Sequence, residues 1–369
     1  MNHFVDRSRV ETQWACPRKR FYNYHYNGKG IVPAGESTHL LFGKAIHYLV
    51  EHCDKDIAVN PDLDQLLLTT EITPDNHQVS DEWRSLYSGM QLVFNTYVLP
   101  KLLDEYDVVS SELETTMNLT SEIMWMCRWD KVIHRKSDGL WFILEIKTSS
   151  WLDKLMKQAS TNFQLLMEIE AMHRHYQLSA EQLGGAILLV FDKGQSKRAS
   201  TAERSRGFDG YRRLSPFTYW YKKDLANGTT NYSLGYAAGY QRTPVWTIPG
   251  WQEILLENFL EEAKAQVQLW PSVSFDSERT ADVIEQVVEN EQRLQHFELQ
   301  RVQYPELEGK LMNQLFSQNF GNCNNDSGYG KPCSYQACCF SPNISRDPVA
   351  SGEYEERTVN HEQEGDQER

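Results

Sequence analysis

The segment 123–148 constrains this chain more than any other. IMWMCRWDKVI (123–133) and LWFILEIKT (140–148) are strand-like runs, and the polar RKSDG between them ends in Asp138-Gly139, a strong signal for a tight hairpin turn. Residues two apart on a strand share a face, so Glu145 and Lys147 point one way and Ile146 the other. Folding about residue 137 brings Asp130 close to opposite Glu145, within one residue of register. Burying charges in such strands is costly unless something compensates them, and a cation would offset the repulsion between the two carboxylates. Mg²⁺ is commonly held by one or two carboxylates together with water and substrate phosphate, so Asp130 and Glu145 are a sufficient protein contribution. Lys147 would then orient or deprotonate an attacking water.

Around this hairpin the pattern is mostly helical. Ser8 and Glu11 stand at capping-box spacing, which predicts a short helix ending where Pro17 follows Cys16. In ESTHLLFGKAIHYLVEHC, apolar residues at 40, 41, 45, 46, 48 and 49 predict a helix that sets His47 and Glu51 one turn apart. Further helices are predicted over 81–103 and 152–176, strands over 183–191 and 215–223, and a mostly helical stretch over 252–316 broken near Pro271 and Pro305.

Composition adds limits rather than identity. A chain of 369 residues, 40% hydrophobic and 24% charged, can bury a sizeable core. No run of about 18 apolar residues occurs, and the polar start MNHFVDRSRVETQ is no signal peptide, so an intracellular, cytoplasmic setting is expected, with no membrane partner. The net charge of -14 argues against a protein coated in nucleic acid, yet the charge is regional. Residues 346–369 carry eight acids against three arginines and lack a core-forming pattern, so a disordered acidic tail is expected. Between Lys193 and Arg213, in contrast, Lys197, Arg198, Arg204, Arg206, Arg212 and Arg213 face only Glu203 and Asp209.

The seven cysteines are 16, 53, 127, 323, 333, 338 and 339. A reducing compartment makes a disulfide framework a poor reading, and four cysteines within 323–339 favour metal or cluster ligation. Nine residues separate Cys323 from Cys333 and five separate Cys333 from Cys339, and neither interval makes a tight zinc knuckle. Iron–sulfur, zinc and metal-free thiols remain as alternatives on these grounds. Cys53 and Cys127 read as ordinary core cysteines.

Asp130 followed by Glu145-Ile146-Lys147 on the next strand resembles the PD-(D/E)xK nuclease superfamily, and CRWDKVI…FILEIKTSS is especially similar to its RecB-type branch. The resemblance implies a restriction-endonuclease-like α/β core, with a mixed central sheet flanked by helices and a staple of N- and C-terminal cysteines. It implies one nuclease domain over residues 1–345, followed by the acidic tail. The expected reaction is Mg²⁺- or Mn²⁺-dependent hydrolysis of DNA phosphodiesters in replication, recombination or repair, in a bacterial or phage-infected cell. An exonuclease is favoured over an endonuclease, and a helicase or recombination protein is the expected protein partner. A non-catalytic DNA-binding module on the same fold is the alternative.

On this resemblance His47 in FGKAIHYLVE is a metal ligand, together with Asp130, Glu145 and the carbonyl of Ile146, and Lys147 positions the water. Gln164 in TNFQLLMEIEAM falls at the glutamine of a Gln-x-x-x-Tyr signature, although Glu168 stands at the tyrosine position. WACPRKRFYNY and NFGNCNNDSGYGKPCSYQACC are similar to segments that hold a 4Fe-4S cluster in some members. That likeness implies Cys16, Cys323, Cys333 and Cys339 as ligands, with Cys338 the rival of Cys339 and zinc the alternative cargo. For DNA contact, the candidates are Arg18, Lys19 and Arg20 beside Cys16, and Lys197, Arg198, Arg204, Arg206, Arg212 and Arg213. The aromatics Phe21, Tyr22, Tyr24 and Tyr26 either stack on bases or form core under the cluster.

Overall fold

The computed structural model describes residues 3–26, 29–34, 38–53, 77–159, 162–198, 211–214, 217, 220–224, 230–234, 241–243, 248–304, 308–319, 323, 332–341 and 347–357. In chain order, β1 (His3–Val5), α1 (Arg7–Ala15) and α2 (Pro17–Arg20) lead into a π-helical turn, Phe21–His25, and then β2 (Ile31–Pro33). Next come α3 (Thr38–Glu51), α4 (His77–Val93), a second π-helical turn at Phe94–Val98 and α5 (Leu99–Glu105). The strands β3 (Tyr106–Asn118), β4 (Ile123–Arg135) and β5 (Trp141–Ser149) precede α6 (Leu152–Ala159), α7 (Phe163–His175) and β6 (Leu183–Asp192). Short strands follow: β7 (Gln195–Arg198), β8 (Tyr211–Leu214), β9 (Trp220–Asp224), β10 (Thr230–Leu234) and β11 (Gln241–Thr243). The chain ends with α8 (Trp251–Asn258), α9 (Leu260–Lys264), β12 (Val267–Leu269), α10 (Ser277–Gln303), α11 (Glu308–Leu315), α12 (Gln336–Phe340) and β13 (Tyr354–Glu356).

Two compact units share this chain. One comprises residues 1–36, 114–127 and 277–369, and the other 37–113 and 128–276.

The second unit is built on a mixed sheet. β4 and β5 pair antiparallel through Lys131↔Leu144 to His134↔Trp141, β5 and β6 run parallel, and β12 closes antiparallel onto β6. The β4–β5 turn follows its sequence signal: Gly139 takes φ +74°, the left-handed conformation a glycine tolerates, and Arg135 clasps Asp138 at 2.7 Å. The two glycines at the start of β6 also matter. Register shifts between Trp141 and Phe142, and Gly185 at φ +101° lies so close to the chain after β12 that a Cβ there would be 2.0 Å from the Val273 carbonyl oxygen. Ile146, Leu144 and Phe142 on β5, Leu189 and Phe191 on β6, and Phe42, Ile46 and Leu49 on α3 belong to one buried core, each contributing about 1.5–3 kcal/mol by burial.

The first unit has a smaller core in which Phe21, Tyr22 and Ile31 pack with Leu294, Phe297, Phe316, Tyr335, Cys338 and Tyr354. The aromatics after Cys16 are therefore core residues: Phe21, Tyr22 and Tyr24 are buried, and Tyr22 stacks on Tyr335 with 6.0 Å between ring centroids. In this unit β1 runs parallel to the start of β4, and β13 pairs antiparallel with β2.

Several sequence expectations change. The N-cap of α1 is Asp6, which accepts from Arg9 N at 2.9 Å, so the Ser8/Glu11 box is not used. The helix expected over 81–103 is two helices joined through the π turn, and the one expected over 152–176 is α6 and α7, the latter restarted by the Asn162 cap. β9 covers the end of the strand expected over 215–223, of which residues 215, 216, 218 and 219 lie outside the described residues, and β12 interrupts the stretch expected to be helical just before Pro271. β3 was not expected at all. Part of the acidic tail is ordered, because Tyr354 buries its ring and β13 supplies backbone partners for β2; residues 358–369 lie outside the described residues.

Candidate active site

Within the 37–113/128–276 unit, four elements bring charged side chains together. On α3 the buried stripe Phe42, Ala45, Ile46, Leu49 and Val50 leaves His47 at its margin, half-exposed. His47 Nδ1 meets Asp130 Oδ1 at 3.0 Å. The other oxygen, Asp130 Oδ2, accepts the main-chain N–H of Ile146 at 2.6 Å. The β4–β5 register, carried one step beyond Lys131↔Leu144, sets Asp130 beside Glu145, as the turn at Asp138-Gly139 dictates.

Glu145 and Lys147 lie on the face of β5 opposite the buried Ile146, and the Lys147 ammonium donates to Glu145 Oε1. α7 completes the cluster. Gln164 and Glu168 stand one helical turn apart and are both buried. Gln164 Nε2 donates to Glu145 Oε1 at 2.8 Å and to Glu168 Oε1 at 2.6 Å, while its Oε1 accepts from Lys147 Nζ at 3.3 Å.

The electrostatics follow from these contacts. Burial alone would raise the Asp130 carboxyl, but His47, the Ile146 N–H and Lys147 together hold it below the usual range. Burial would lower His47, and the Asp130 hydrogen bond and charge, with Glu145, outweigh it and raise the imidazole. Glu168 goes the other way: complete burial, with Glu145 close by, pushes it well above the usual carboxylate range.

Sequence reasoning missed one member. Glu112, on the unexpected strand β3, joins His47 and Asp130 in a group whose candidate ligand atoms all lie within 4.8 Å of one another. Its φ of +50° is in the left-handed region, a strained backbone for a non-glycine residue, and Arg128 pairs with its carboxylate at 3.1 Å. Burial and Asp130 raise its pKa. The signal that could have found the strand is the alternation Leu113, Thr115, Met117 against Glu114, Thr116, Asn118, weak because only Thr115 and Met117 are fully buried. Oxygen donors with one imidazole suit a hard divalent cation such as Mg²⁺ or Mn²⁺, so this donor set fits the metal that the hairpin implies.

The PD-(D/E)XK nuclease superfamily profile matches residues 7–340, nearly the whole chain. The chain belongs to the PD-(D/E)XK nuclease superfamily. A search of curated proteins finds no match. Asp130, Glu145 and Lys147, whose order and spacing resemble the motif of a PD-(D/E)XK nuclease, lie together in the cluster described above. The mixed sheet flanked by helices is the fold that this superfamily requires, and its members are nucleases that use divalent metals. Among the described residues no helix is long and apolar enough to cross a membrane.

In the other unit, the expected cluster ligands Cys16 and Cys323 are buried, and Cys333 and Cys339 are half-buried. Cys333 N donates to the Cys323 carbonyl at 2.8 Å. Burial pushes the Cys339 thiol up to about 11 against the lowering influence of Arg18, and Cys16 and Cys323 are near enough to raise it further. Among the described residues, the group whose candidate ligand atoms converge within 4.8 Å is His47, Glu112 and Asp130; the cysteine thiols form no such group. Cys338, its thiol also raised to about 11 by burial, has the Tyr354 hydroxyl as its hydrogen-bond partner and Cys333 near enough to raise it further.

The expected DNA contacts divide. Arg18 and Arg20 are corrections, because both are buried and spent inside the protein. Arg18 donates to the Phe316 carbonyl and to Asn313 Oδ1, each at 2.7 Å, and Arg20 forms a bidentate pair with Glu291 at 2.7 and 2.8 Å. Lys19 is half-buried. In the basic segment, β7 and β8 form an antiparallel ladder that sets Lys197 opposite Arg212 and Arg198 opposite Tyr211, with Arg213 across from Ser196. Arg204 and Arg206 lie outside the described residues.

Proposed function

We propose that this chain is a metal-dependent deoxyribonuclease that hydrolyses DNA phosphodiester bonds, acting from DNA ends as an exonuclease. The observation that carries the reading is the placement of Lys147, held between Glu145 Oε1 and Gln164 Oε1 on the strand adjoining Asp130. His47, Asp130, Glu145 and the carbonyl of Ile146 would hold the cation, and Glu112 adds a carboxylate to that set. The N–H and C=O of one strand residue point to the same strand edge, so the Ile146 N–H bond to Asp130 favours a carbonyl directed toward the same carboxylate. A bound Mg²⁺ or Mn²⁺ supplies neutralisation of phosphate charge and a lowered pKa for water. Lys147 orients the nucleophilic water through its ammonium, or, once Nζ has released its own proton to solvent, accepts the water's proton there as the neutral amine. Gln164, accepting from that ammonium, limits its rotation.

Lys197, Arg198, Arg212 and Arg213 on the β7–β8 ladder are the proposed contacts to the DNA backbone, together with Arg204 and Arg206, which lie outside the described residues. Cys16, Cys323, Cys333 and Cys339 are the proposed ligands of a 4Fe-4S cluster, with Cys339 preferred because its thiol neighbours Cys16 and Cys323 while Cys338 engages Tyr354. The proposed nuclease domain starts at residue 1 and runs past the expected boundary at 345 to include β13, which pairs with β2; it is proposed to work in the cytoplasm with a helicase or recombination protein in replication, recombination or repair.

The test uses linear and circular DNA, single- and double-stranded, with Mg²⁺, Mn²⁺ or chelator. Linear DNA should be degraded only when metal is present, and circular DNA should survive. Tight binding to DNA without cleavage under any metal condition would replace the enzyme with a non-catalytic DNA-binding module.

A further inference from the structure

Gln164 uses every polar group of its amide. Both N–H bonds are given to carboxyl oxygens, Glu145 Oε1 and Glu168 Oε1, and the carbonyl accepts from Lys147. A half-turn of the amide would face its oxygen toward two carboxyl oxygens and its N–H groups toward an ammonium, three repulsive contacts in place of three attractive ones. The sense of the amide therefore depends on acceptors at both N–H positions. Glu168 supplies one of them.

Glu168 is an expensive residue for this place. It is 4% exposed, and its Oε2 has no hydrogen-bond partner among the described residues. An apolar side chain of similar volume would fill the site without that cost. The backbone around it is pinned as well: the indole N–H of Trp129, the residue before Asp130, donates to the Glu168 main-chain carbonyl at 3.2 Å. Glu168 is thus fixed relative to both β4 and Gln164.

We propose that Glu168 is a positioning residue that fixes the Gln164 amide and, through it, the Lys147 ammonium. This rests on the nuclease reading, which gives Lys147 its role. Glu168 stands where the resembled signature carries tyrosine, so the glutamine of this chain is held by a carboxyl rather than by a phenol.

The full chain is assayed on linear DNA with Mn²⁺, measuring kcat, KM and calorimetric Mn²⁺ affinity. Glu168→Leu should lower kcat by about 10- to 100-fold, the usual effect of losing an orienting partner, with KM and Mn²⁺ affinity within about twofold of wild type. Glu168→Gln keeps an acceptor oxygen and should stay within about threefold of wild type on the same scale. Combining Glu168→Leu with Gln164→Leu should cost no more than Gln164→Leu alone, because the two act in series. A variant with Gln164→Glu and Glu168→Gln keeps the pair bonded but cannot donate to Glu145, so it should fold and be as slow as Gln164→Leu. Wild-type kcat in Glu168→Leu or in the exchanged pair, or losses that multiply in the double variant, would overturn the proposal while leaving a cutting wild type intact. A wild-type protein that cuts no DNA overturns both readings.

Discussion

The main-chain N–H of Ile146 donates to Asp130 Oδ2 at 2.6 Å, so the backbone between Glu145 and Lys147 is tied directly to a buried carboxylate of the neighbouring strand. One carboxylate oxygen is fixed to β5 and the other meets His47 on α3 at 3.0 Å. Asp130 thereby sets the spacing between a helix and a strand. This explains why a carboxyl so thoroughly buried stays below the usual range.

Glu112 and His47 should matter to metal affinity rather than to folding. Glu112→Gln and His47→Ala are each expected to weaken Mn²⁺ binding by about 10- to 100-fold in calorimetry. Glu112→Gly should also weaken it, yet leave the fold about 1 kcal/mol more stable, because glycine relieves the φ of +50°. Unchanged Mn²⁺ affinity in both Glu112 variants would remove Glu112 from the site.

Acid stability should depend on Glu291. Despite burial, Arg20 and His3 hold this carboxyl at about 2, below its ordinary 4.5. The unfolded chain binds the proton more readily, so the contribution, about 3 kcal/mol, is fully present above the ordinary value and lost as pH falls toward 2. Glu291→Gln should flatten the decline in unfolding free energy between these two pH values, measured by urea titration. A decline as steep as in wild type would contradict the assignment.

The cysteines separate by partner. Anaerobically purified protein should be brown, with broad absorbance near about 400 nm, the signature of thiolate-ligated iron. Cys339→Ser should lose this colour and Cys338→Ser should keep it, since Cys338 bonds to Tyr354. Colourless wild-type protein with stoichiometric zinc would replace the iron cluster.

Neutralising Lys197, Arg198, Arg212 and Arg213 together should weaken binding to DNA of any sequence. The plot of log affinity against log salt should become shallower by about 0.9 for each duplex phosphate that the variant no longer neutralises. An unchanged slope would take the β7–β8 ladder out of the interface.

Much of the site was legible because one turn determines it. Asp138-Gly139 fixes the hairpin register, and register fixes Asp130 beside Glu145 and Lys147. His47 was legible because its helix has a clear apolar stripe. Glu112 was not, since the alternation of β3 is lost around residues 110–113 and a left-handed residue within a strand has no sequence signature. Arg18 and Arg20 misled because a basic run looks the same whether it faces DNA or, as with Arg20, a buried glutamate 271 positions away. The N-cap of α1 moved from Ser8 to Asp6 because either side chain satisfies the local rule and only packing chooses.

The central claim is that Lys147, held by Glu145 and Gln164, handles the water in a metal-dependent cleavage of DNA. The most direct measurement is single-turnover cleavage of linear DNA with saturating Mn²⁺, wild type beside Lys147→Ala, with Mn²⁺ affinity measured on both. Cleavage should fall by at least about 100-fold, the scale of losing a proton-transfer group, while Mn²⁺ still binds. Cleavage at the wild-type rate by Lys147→Ala would contradict the account.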